Sequence, residues 1–175
     1  MNKVTIEEKE KDSVIKQELD KFINSFKSVI ISSVSKDGYG LASYSTITKV
    51  DESFYIYISK VSDHYENIIS NPDKISILFL EDEHSAKTIL ARKRATFRAE
   101  AIKIERDSKE FAKFATEFVA KFKEQSGAEQ VITMRDFDLF RLKFGKCRYV
   151  KGFGGAYDIE NSDVTMPQTK NPHKY

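Results

Sequence analysis

Three consecutive cations, Arg92, Lys93 and Arg94, stand directly before a segment with the periodicity of a β-strand. Two guanidinium groups and an ammonium group at a strand entrance can bind a phosphate or a pair of carboxylates. A solvated surface loop explains the same triplet, and for an arbitrary basic triplet we expect that outcome more often. The three residues are therefore candidate anion ligands, and their individual roles cannot be separated from the sequence.

The segment that follows the cations must hold them in place. Every second residue from Ala95 is small or apolar, and the residues between them are mostly polar until Ile102 and Ile104. This alternation predicts a strand with one face on a core. The predicted inward residues are Ala95, Phe97, Ala99 and Ala101.

The remaining strand signals surround this central strand. Short turns join the first three of them, and turns of this length cannot make a parallel crossover, so an antiparallel meander is predicted. The predicted strands cover residues 28–35, 41–50, 54–58 and 74–80, then residues 134–144 and 147–151, with a turn at Gly145-Lys146 between the last two.

Three helices are predicted, at residues 5–26, 61–71 and 107–125. With six or seven strands, this order favours a mainly β fold with flanking helices (α+β), an antiparallel closed or split β-barrel. We predict a barrel domain with its N-terminal helix at residues 1–157. Residues 152–156 are predicted as a flexible loop and residues 158–175 as an extended C-terminal tail that contributes to the site.

Composition limits the classes of function. A chain of 175 residues with 40% hydrophobic residues is expected to form one domain, and a net charge of +2 does not indicate nucleic-acid binding. The single cysteine, Cys147, excludes an intrachain disulfide. No apolar run reaches the roughly 20 residues of a membrane span, and the charged N-terminus lacks the features of an export signal, so a cytoplasmic location is the default expectation.

Several motifs together resemble a known family. The run from Ile58 to Pro72 resembles the strand–helix signature of the pyridoxamine-phosphate-oxidase-like split barrels. More specifically, four segments are similar to the haem-utilisation branch of that superfamily, the HugZ/HutZ type. They are residues 90–97, 134–137, 139–142 and 149–157, and the resemblance extends over residues 27–157.

The resemblance implies a homodimeric split barrel that binds haem and degrades it to a biliverdin-type product with release of iron. Haem would be both substrate and oxygen activator, and an external electron donor would supply reductant. In that branch a histidine of the C-terminal tail is the axial ligand of the haem iron, which makes His173 the candidate here. On its own, His173 in a terminal segment would be read as part of a disordered end.

The other two histidines are weighed by chemistry. His64 lies at the start of a predicted helix, where flavin-using relatives tend to have a cation for the phosphate. It is a structural cap or a second-choice haem ligand. His84 lies among acidic residues and is expected to be solvated.

The resemblance also assigns roles around the iron. Asp136 corresponds to an acid that hydrogen-bonds the axial histidine and increases its electron donation to the iron. Arg135 is expected to donate to an iron-bound oxygen or to a propionate, and Ser28 matches a hydroxyl position near the haem. Without the resemblance, Asp136 and Arg135 would be read as surface residues. In a haem protein the cations at residues 92–94 would bind propionates, and in a flavoprotein they would bind the phosphate of FMN.

Two alternatives stay open. The same barrel could be an FMN-dependent oxidoreductase. The segment from Tyr55 to His64 argues against this, because Lys60 is its only cation suited to a flavin phosphate. It could also be a haem carrier or storage protein without turnover. A dimer is expected in all three cases. Its interface could use Tyr39, Tyr44, Tyr55 and Tyr57, or these could be sheet-face residues without a partner.

Overall fold

The computed structural model describes residues 3–161 and 163–167. Four α-helices and eight strands alternate along this part of the chain. In order they are α1 (Lys3–Asn24), β1 (Ser28–Val34), β2 (Gly40–Val50), β3 (Ser53–Ser59), α2 (Asp63–Ser70), β4 (Ile75–Leu80), β5 (Arg94–Ile104), α3 (Lys109–Phe122), α4 (Ala128–Thr133), β6 (Phe137–Gly152), β7 (Gly155–Glu160) and β8 (Asp163–Thr165), with a single 3₁₀ turn at Ile89–Ala91 before β5.

The strands form one antiparallel sheet in the order β3-β2-β1-β4-β5-β6-β7-β8. Strand β3 also pairs with the first half of β6, from Phe54↔Leu142 to Ser59↔Phe137, and this pairing closes a six-stranded barrel. The second half of β6 runs beyond the closure and pairs with β7 instead. The predicted antiparallel barrel with flanking helices is confirmed.

Two apolar cores stabilise the barrel. The first fills its interior, where Phe79 and Tyr149 are fully buried and where helix α1 adds Ile15, Leu19 and Ile23. The predicted inward side of β5 is confirmed, because all four of its predicted residues belong to this core. The second core lies between helix α3 and the outer face of β3 and β6. Strand β3 is therefore buried on both faces, which explains its nearly continuous apolar sequence.

Helix α3 follows its sequence signals closely. The Ser108 hydroxyl accepts a hydrogen bond of 3.0 Å from the Phe111 amide, which is the geometry of an N-cap. Phe114, Phe118 and Phe122 form its buried stripe. This stripe covers Tyr55 and Tyr57, so these two tyrosines are sheet-face residues beneath a helix and are not exposed for a dimer interface.

The predicted turn at Gly145-Lys146 is wrong. Strand β6 is continuous, and between the pairs Phe97↔Cys147 and Ala99↔Phe144 these two residues stand opposite the single residue Arg98. Two residues opposite one is a β-bulge, which uses a glycine as readily as a turn does. The sequence signal was real, but it marked an irregularity within a strand.

Two further segments differ from the predictions. Residues 152–156 form a hairpin between β6 and β7 rather than a flexible loop, with Gly152 and Gly154 at positive φ. Strand pairing continues through β7 and β8, past residue 157 where we placed the start of the extended tail. Helix α4 was not predicted, because six residues are too few to show a periodic pattern.

None of the helices in the part of the chain that the structure describes has both the length and the apolar character needed to cross a bilayer.

Candidate functional site

The barrel is split between strands β2 and β3. Their pairing extends from Val50↔Ser53 only to Ile47↔Ile56. Beyond that point β2 pairs with β1, from Thr46 onward, and β3 pairs with β6. The two strands therefore diverge, and the gap between them is open to a ligand.

A cavity of about 670 Å³ occupies this split. Its volume lies within the roughly 300–1,000 Å³ range of small-molecule and cofactor sites. The apolar part of the lining comes from β3, α3, α4 and the start of β6, and many lining residues carry a hydroxyl group. The apolar lining includes Tyr57, Ile58, Phe118, Phe122, Val131 and Phe137, and the serine and threonine hydroxyl groups belong to Ser28, Ser43, Ser45, Thr46, Ser59, Ser62 and Ser126.

His64 lies in this cavity at the start of helix α2 and is only 8% exposed. Its Nδ1 is 2.7 Å from Oγ of Ser43 on strand β2, across the split. Burial lowers the pKa of His64, and the nearby negative charge of Asp63 only partly opposes this. The imidazole is therefore neutral at physiological pH, which is the form that binds a metal.

Asp136 and Arg135 lie on the short segment between α4 and β6. The Asp136 carboxylate accepts a hydrogen bond of 3.1 Å from Oγ of Ser59, a residue of the cavity lining. The segment is fixed to the end of β3, since the Lys60 amide donates to the Asp136 carbonyl at 2.7 Å. Both side chains are exposed, so they lie at the rim of the cavity rather than in it.

Arg106 holds the same segment from the other side. Its guanidinium donates to the carbonyls of Ile132 and Met134, each at 2.8 Å, and to the Tyr57 hydroxyl at 3.0 Å. It also lies over the ring of Phe111, 5.0 Å from the centroid. Neither Arg106 nor Ser43 was singled out from the sequence, because a lone arginine after a strand and a serine within one carry no motif.

The three cations at the entrance of β5 lie apart from the cavity lining. Arg92 is engaged with the 81–83 loop, where it donates to the Glu81 carbonyl and pairs with Glu83 at 3.0 Å. The Lys93 ammonium lies over the ring of Phe22, 5.5 Å from its centroid. Arg94 is exposed, and its guanidinium donates only to the Arg92 carbonyl within the described chain.

Strand register relates Arg94 to the cavity. Arg94 pairs with Leu80, and Ile30 pairs with Leu78, so Ser28 and Arg94 stand at the same level of the sheet with β4 between them. Two strand spacings separate their backbones by about 10 Å. The structure thus brings Ser28 and His64 into the cavity and Asp136 to its rim. Arg94 lies on the outer face of the sheet, where its side chain can reach toward Ser28.

His173 lies outside the described residues, so its assignment as the iron ligand stays a prediction. His84 is exposed on the acidic loop, as expected, and its amide is held by the Asp82 carboxylate at 2.8 Å.

Comparison with known families gives one match that covers most of the chain. The profile of the family described as pyridoxamine 5′-phosphate oxidase matches residues 15–151. This span contains the barrel strands up to the next-to-last residue of β6, the cavity lining and the rim residues.

A curated relative is the heme oxygenase HutZ of Vibrio cholerae. It is 34% identical to this chain over 151 residues, which cover 86% of this chain and 84% of the relative.

Solved structures share the fold. The crystal structure of Campylobacter jejuni ChuZ matches with a TM-score of 0.87 and 41% identity over 93% of this chain, which spans 66% of that chain. Vibrio cholerae HutZ, described as a heme storage protein, matches with a TM-score of 0.67 and 28% identity, over 78% of this chain and 94% of that one. A heme binding protein of Mycobacterium smegmatis has a TM-score of 0.67 at 21% identity, over 79% of this chain and 55% of that one, a likeness of fold alone.

Proposed function

The chain belongs to the pyridoxamine 5′-phosphate oxidase family, and from this premise we propose that it binds haem and degrades it to a biliverdin-type product with release of iron. The curated relative is named a heme oxygenase, and a solved relative is named a heme storage protein. Both names describe a protein that handles haem, and they differ on whether haem is turned over.

The observation that carries the proposal is the cavity in the split of the barrel. Its lining combines aromatic and aliphatic side chains with hydroxyl groups and Lys27. Such a surface suits a flat apolar macrocycle with a charged edge, because the apolar side chains desolvate the ring and the polar groups can bind its edge.

Haem, when bound, supplies the oxygen-activating chemistry, and electrons must come from an external donor. We assign the axial position to His173, with His64 as the second candidate because its imidazole is neutral and faces the cavity. The Asp136 carboxylate at the rim would accept a hydrogen bond from the imidazole that binds the iron and would strengthen it as a ligand. Arg135 would bind an oxygen ligand or a propionate, and Ser28 would hydrogen-bond at the cavity wall.

The experiment is a titration of the purified protein with hemin, followed by ascorbate in air. We expect a Soret band that saturates near one haem per chain and then decays as a broad red absorption grows. A Soret band that saturates and never decays would leave binding without turnover. His173→Ala and His64→Ala, compared with the exposed His84→Ala, should show which imidazole the spectrum depends on.

An FMN-dependent oxidoreductase is the alternative that the family's name favours. Lys60, the one cation of the Tyr55 to His64 segment suited to a flavin phosphate, is engaged with the Asp138 carboxylate at 3.6 Å and with the Arg135 carbonyl at 3.3 Å. This engagement weighs against the alternative. A protein that is yellow as purified and fails to saturate with hemin would favour it.

We also propose a homodimer. On the outer face of the sheet, Tyr44 pairs with Ile30 and Ile30 pairs with Leu78, which gives an apolar row across three strands beside the cavity. Tyr44 is 73% exposed. An exposed apolar row next to a ligand site is typical of an interface between subunits. Sedimentation should give twice the chain mass for the wild type and a smaller mass for Ile30→Glu.

A further inference from the structure

Two lysines that have no carboxylate partner among the described residues lie at one end of the cavity, Lys27 in its lining and Lys121 behind it. Lys27 is part of the lining, directly before Ser28. Lys121 comes from helix α3, between the lining residues Phe118 and Phe122. Its ammonium group donates to the Phe26 carbonyl at 2.9 Å and to the Ile47 carbonyl at 2.7 Å. These carbonyls adjoin Lys27 and Thr46 in the chain, so Lys121 supports the wall immediately behind the lining.

No carboxylate neutralises either lysine in the described part of the chain. Across residues 3–161 and 163–167 neither ammonium lies within 4.0 Å of a carboxylate, whereas Lys113, on the same helix as Lys121, pairs with Asp51 at 2.5 Å. Burial lowers the pKa of Lys121, and the positive charge of Lys27 lowers it further. The two ammonium groups therefore repel each other, and a bound anion would relieve that repulsion.

The arginines at the entrance of β5 are less suited to binding an anion inside the cavity. The Arg92 guanidinium already has a carboxylate, that of Glu83, and Arg94 lies outside the lining. An anionic group inside the cavity would therefore meet Lys27 first, with the hydroxyl groups of Ser28 and Thr46 beside it.

We propose that Lys27 binds the anionic group of the cavity's ligand, and that Lys121 is a positioning residue that adds positive charge. Lys121 fixes the carbonyl of Phe26, directly before Lys27, and the carbonyl of Ile47 on β2, whose amide donates to the Lys27 carbonyl at 3.0 Å. The inference rests on the proposed function, in which the anion is a haem propionate. The phosphate of FMN would supply the same chemistry, and the experiment separates the two sources.

The experiment compares hemin with hemin dimethyl ester, in which both propionates are neutral. Lys27→Met should weaken hemin binding about 10-fold, since it removes a charge-assisted hydrogen bond, and should leave binding of the ester within about 2-fold. Lys27→Arg should restore hemin binding. Lys36→Met, in the exposed β1–β2 turn, is the matched control and should bind both ligands like the wild type.

Lys121→Met tests the positioning role. It should weaken hemin binding more than ester binding, and the ratio of the two affinities is the readout that a general loss of stability would not change. The Lys27 side chain makes no hydrogen bond within the described chain, so Lys27→Met is expected to fold. If Lys121→Met is unstable, Lys27→Met alone decides the proposal. Equal losses for hemin and ester in Lys27→Met, or no loss for either, would overturn the inference.

A wild-type protein that does not bind hemin saturably would refute the haem proposal without testing the anion site. The same variants would then be titrated with FMN and with riboflavin, which lacks the phosphate. A preference for FMN that disappears in Lys27→Met would keep the anion site with a different ligand. The absence of any such preference would remove the anion site as well.

Discussion

Oγ of Ser43 lies 2.7 Å from Nδ1 of His64 and joins strand β2 to helix α2 across the split of the barrel. This contact stands where backbone pairing between β2 and β3 has ended. It therefore holds one wall of the cavity where the sheet itself no longer does. The hydroxyl group also orients the imidazole, whose burial keeps it neutral.

His64 should make stability depend on pH. Its folded pKa is lowered by burial, below the ordinary value of about 6.5, so the unfolded chain binds the proton more readily. The free energy of unfolding should therefore fall as pH drops below about 6.5, with a slope of at most about 1.4 kcal/mol per pH unit for one proton. Urea unfolding between pH 5 and 8 measures this slope.

The His64→Gln variant should reduce that slope, and the exposed His84→Gln should not. Equal slopes in the wild type and His64→Gln would show that another group is responsible for the acid sensitivity.

The fold was predictable where a pattern is repeated or a turn is short. Alternation identified β5 and its inward residues, and the predicted short turn between the first two strands is confirmed by the hydrogen bond of 2.9 Å from the Ser35 amide to the Tyr39 carbonyl. Local signals were ambiguous where one residue type serves two structures. Gly145 in a bulge and Gly152 in a hairpin carry the same sequence signal.

The site was predictable only in part, because it is assembled from distant segments. The resemblance pointed to Ser28, His64 and Asp136, which the fold brings to one cavity or its rim. Lys27, Ser43 and Lys121 come from three elements and acquire meaning only through contacts between them. The outward position of Arg94 follows from strand register. A shift of the register by one residue would turn its side chain to the other face of the sheet.

Asp138 should anchor helix α2 to the barrel. Its carboxylate accepts from the Tyr65 hydroxyl at 2.6 Å and from Lys103 at 2.7 Å. Tyr65→Phe should lower the free energy of unfolding by about 1 kcal/mol, and Asp138→Asn by roughly 2 kcal/mol. A double-mutant cycle measured by urea unfolding should give a coupling that is clearly above zero. Additive losses would contradict the shared hydrogen bond.

The same carboxylate gives a second pH effect. Burial acts to raise the pKa of Asp138, but the hydrogen bonds from Lys103 and Tyr65 and the lysine charges outweigh it and leave the pKa below its usual value. The stabilisation is therefore complete above about pH 4 and is lost as pH falls through the lowered pKa. The difference in stability between the wild type and Asp138→Asn should shrink when measured at pH 3 rather than pH 7.

Arg106 should control the segment that carries Arg135 and Asp136. Arg106→Met removes the 2.8 Å hydrogen bonds to the Ile132 and Met134 carbonyls and leaves them the longer contacts from the Tyr57 hydroxyl, at 3.4 and 3.2 Å. We expect a loss of roughly 2 kcal/mol in the free energy of unfolding. Arg106→Lys keeps the charge but cannot span both carbonyls and the Tyr57 hydroxyl, so it should recover only part of the loss. Hydrogen exchange in a peptide covering residues 132–138 should accelerate in both variants, more so in the methionine variant.

The matched control for Arg106 is Arg98→Met. Arg98 is an exposed residue of β5, so the exchange of residues 132–138 should not change. Unchanged exchange of that peptide in Arg106→Met would mean that the other contacts of the segment, such as the hydrogen bond from Ser59 to Asp136, hold it without Arg106.

Cys147 should be chemically silent in the folded protein. Its side chain lies in the barrel core, and burial raises the pKa of the thiol to about 12. Because the thiolate is the reactive form, a thiol reagent at pH 8 should leave the native protein unmodified and should label the chain fully in guanidinium chloride. The unfolded thiol ionises near pH 8.5 whereas the folded thiol does not, so the free energy of unfolding should decrease as pH rises above that value. Cys147→Ala should abolish this decrease, although it loses some packing in the core. Rapid labelling of the native protein would show that the barrel opens at β6 and that the core around Tyr149 is less tightly closed than its complete burial indicates.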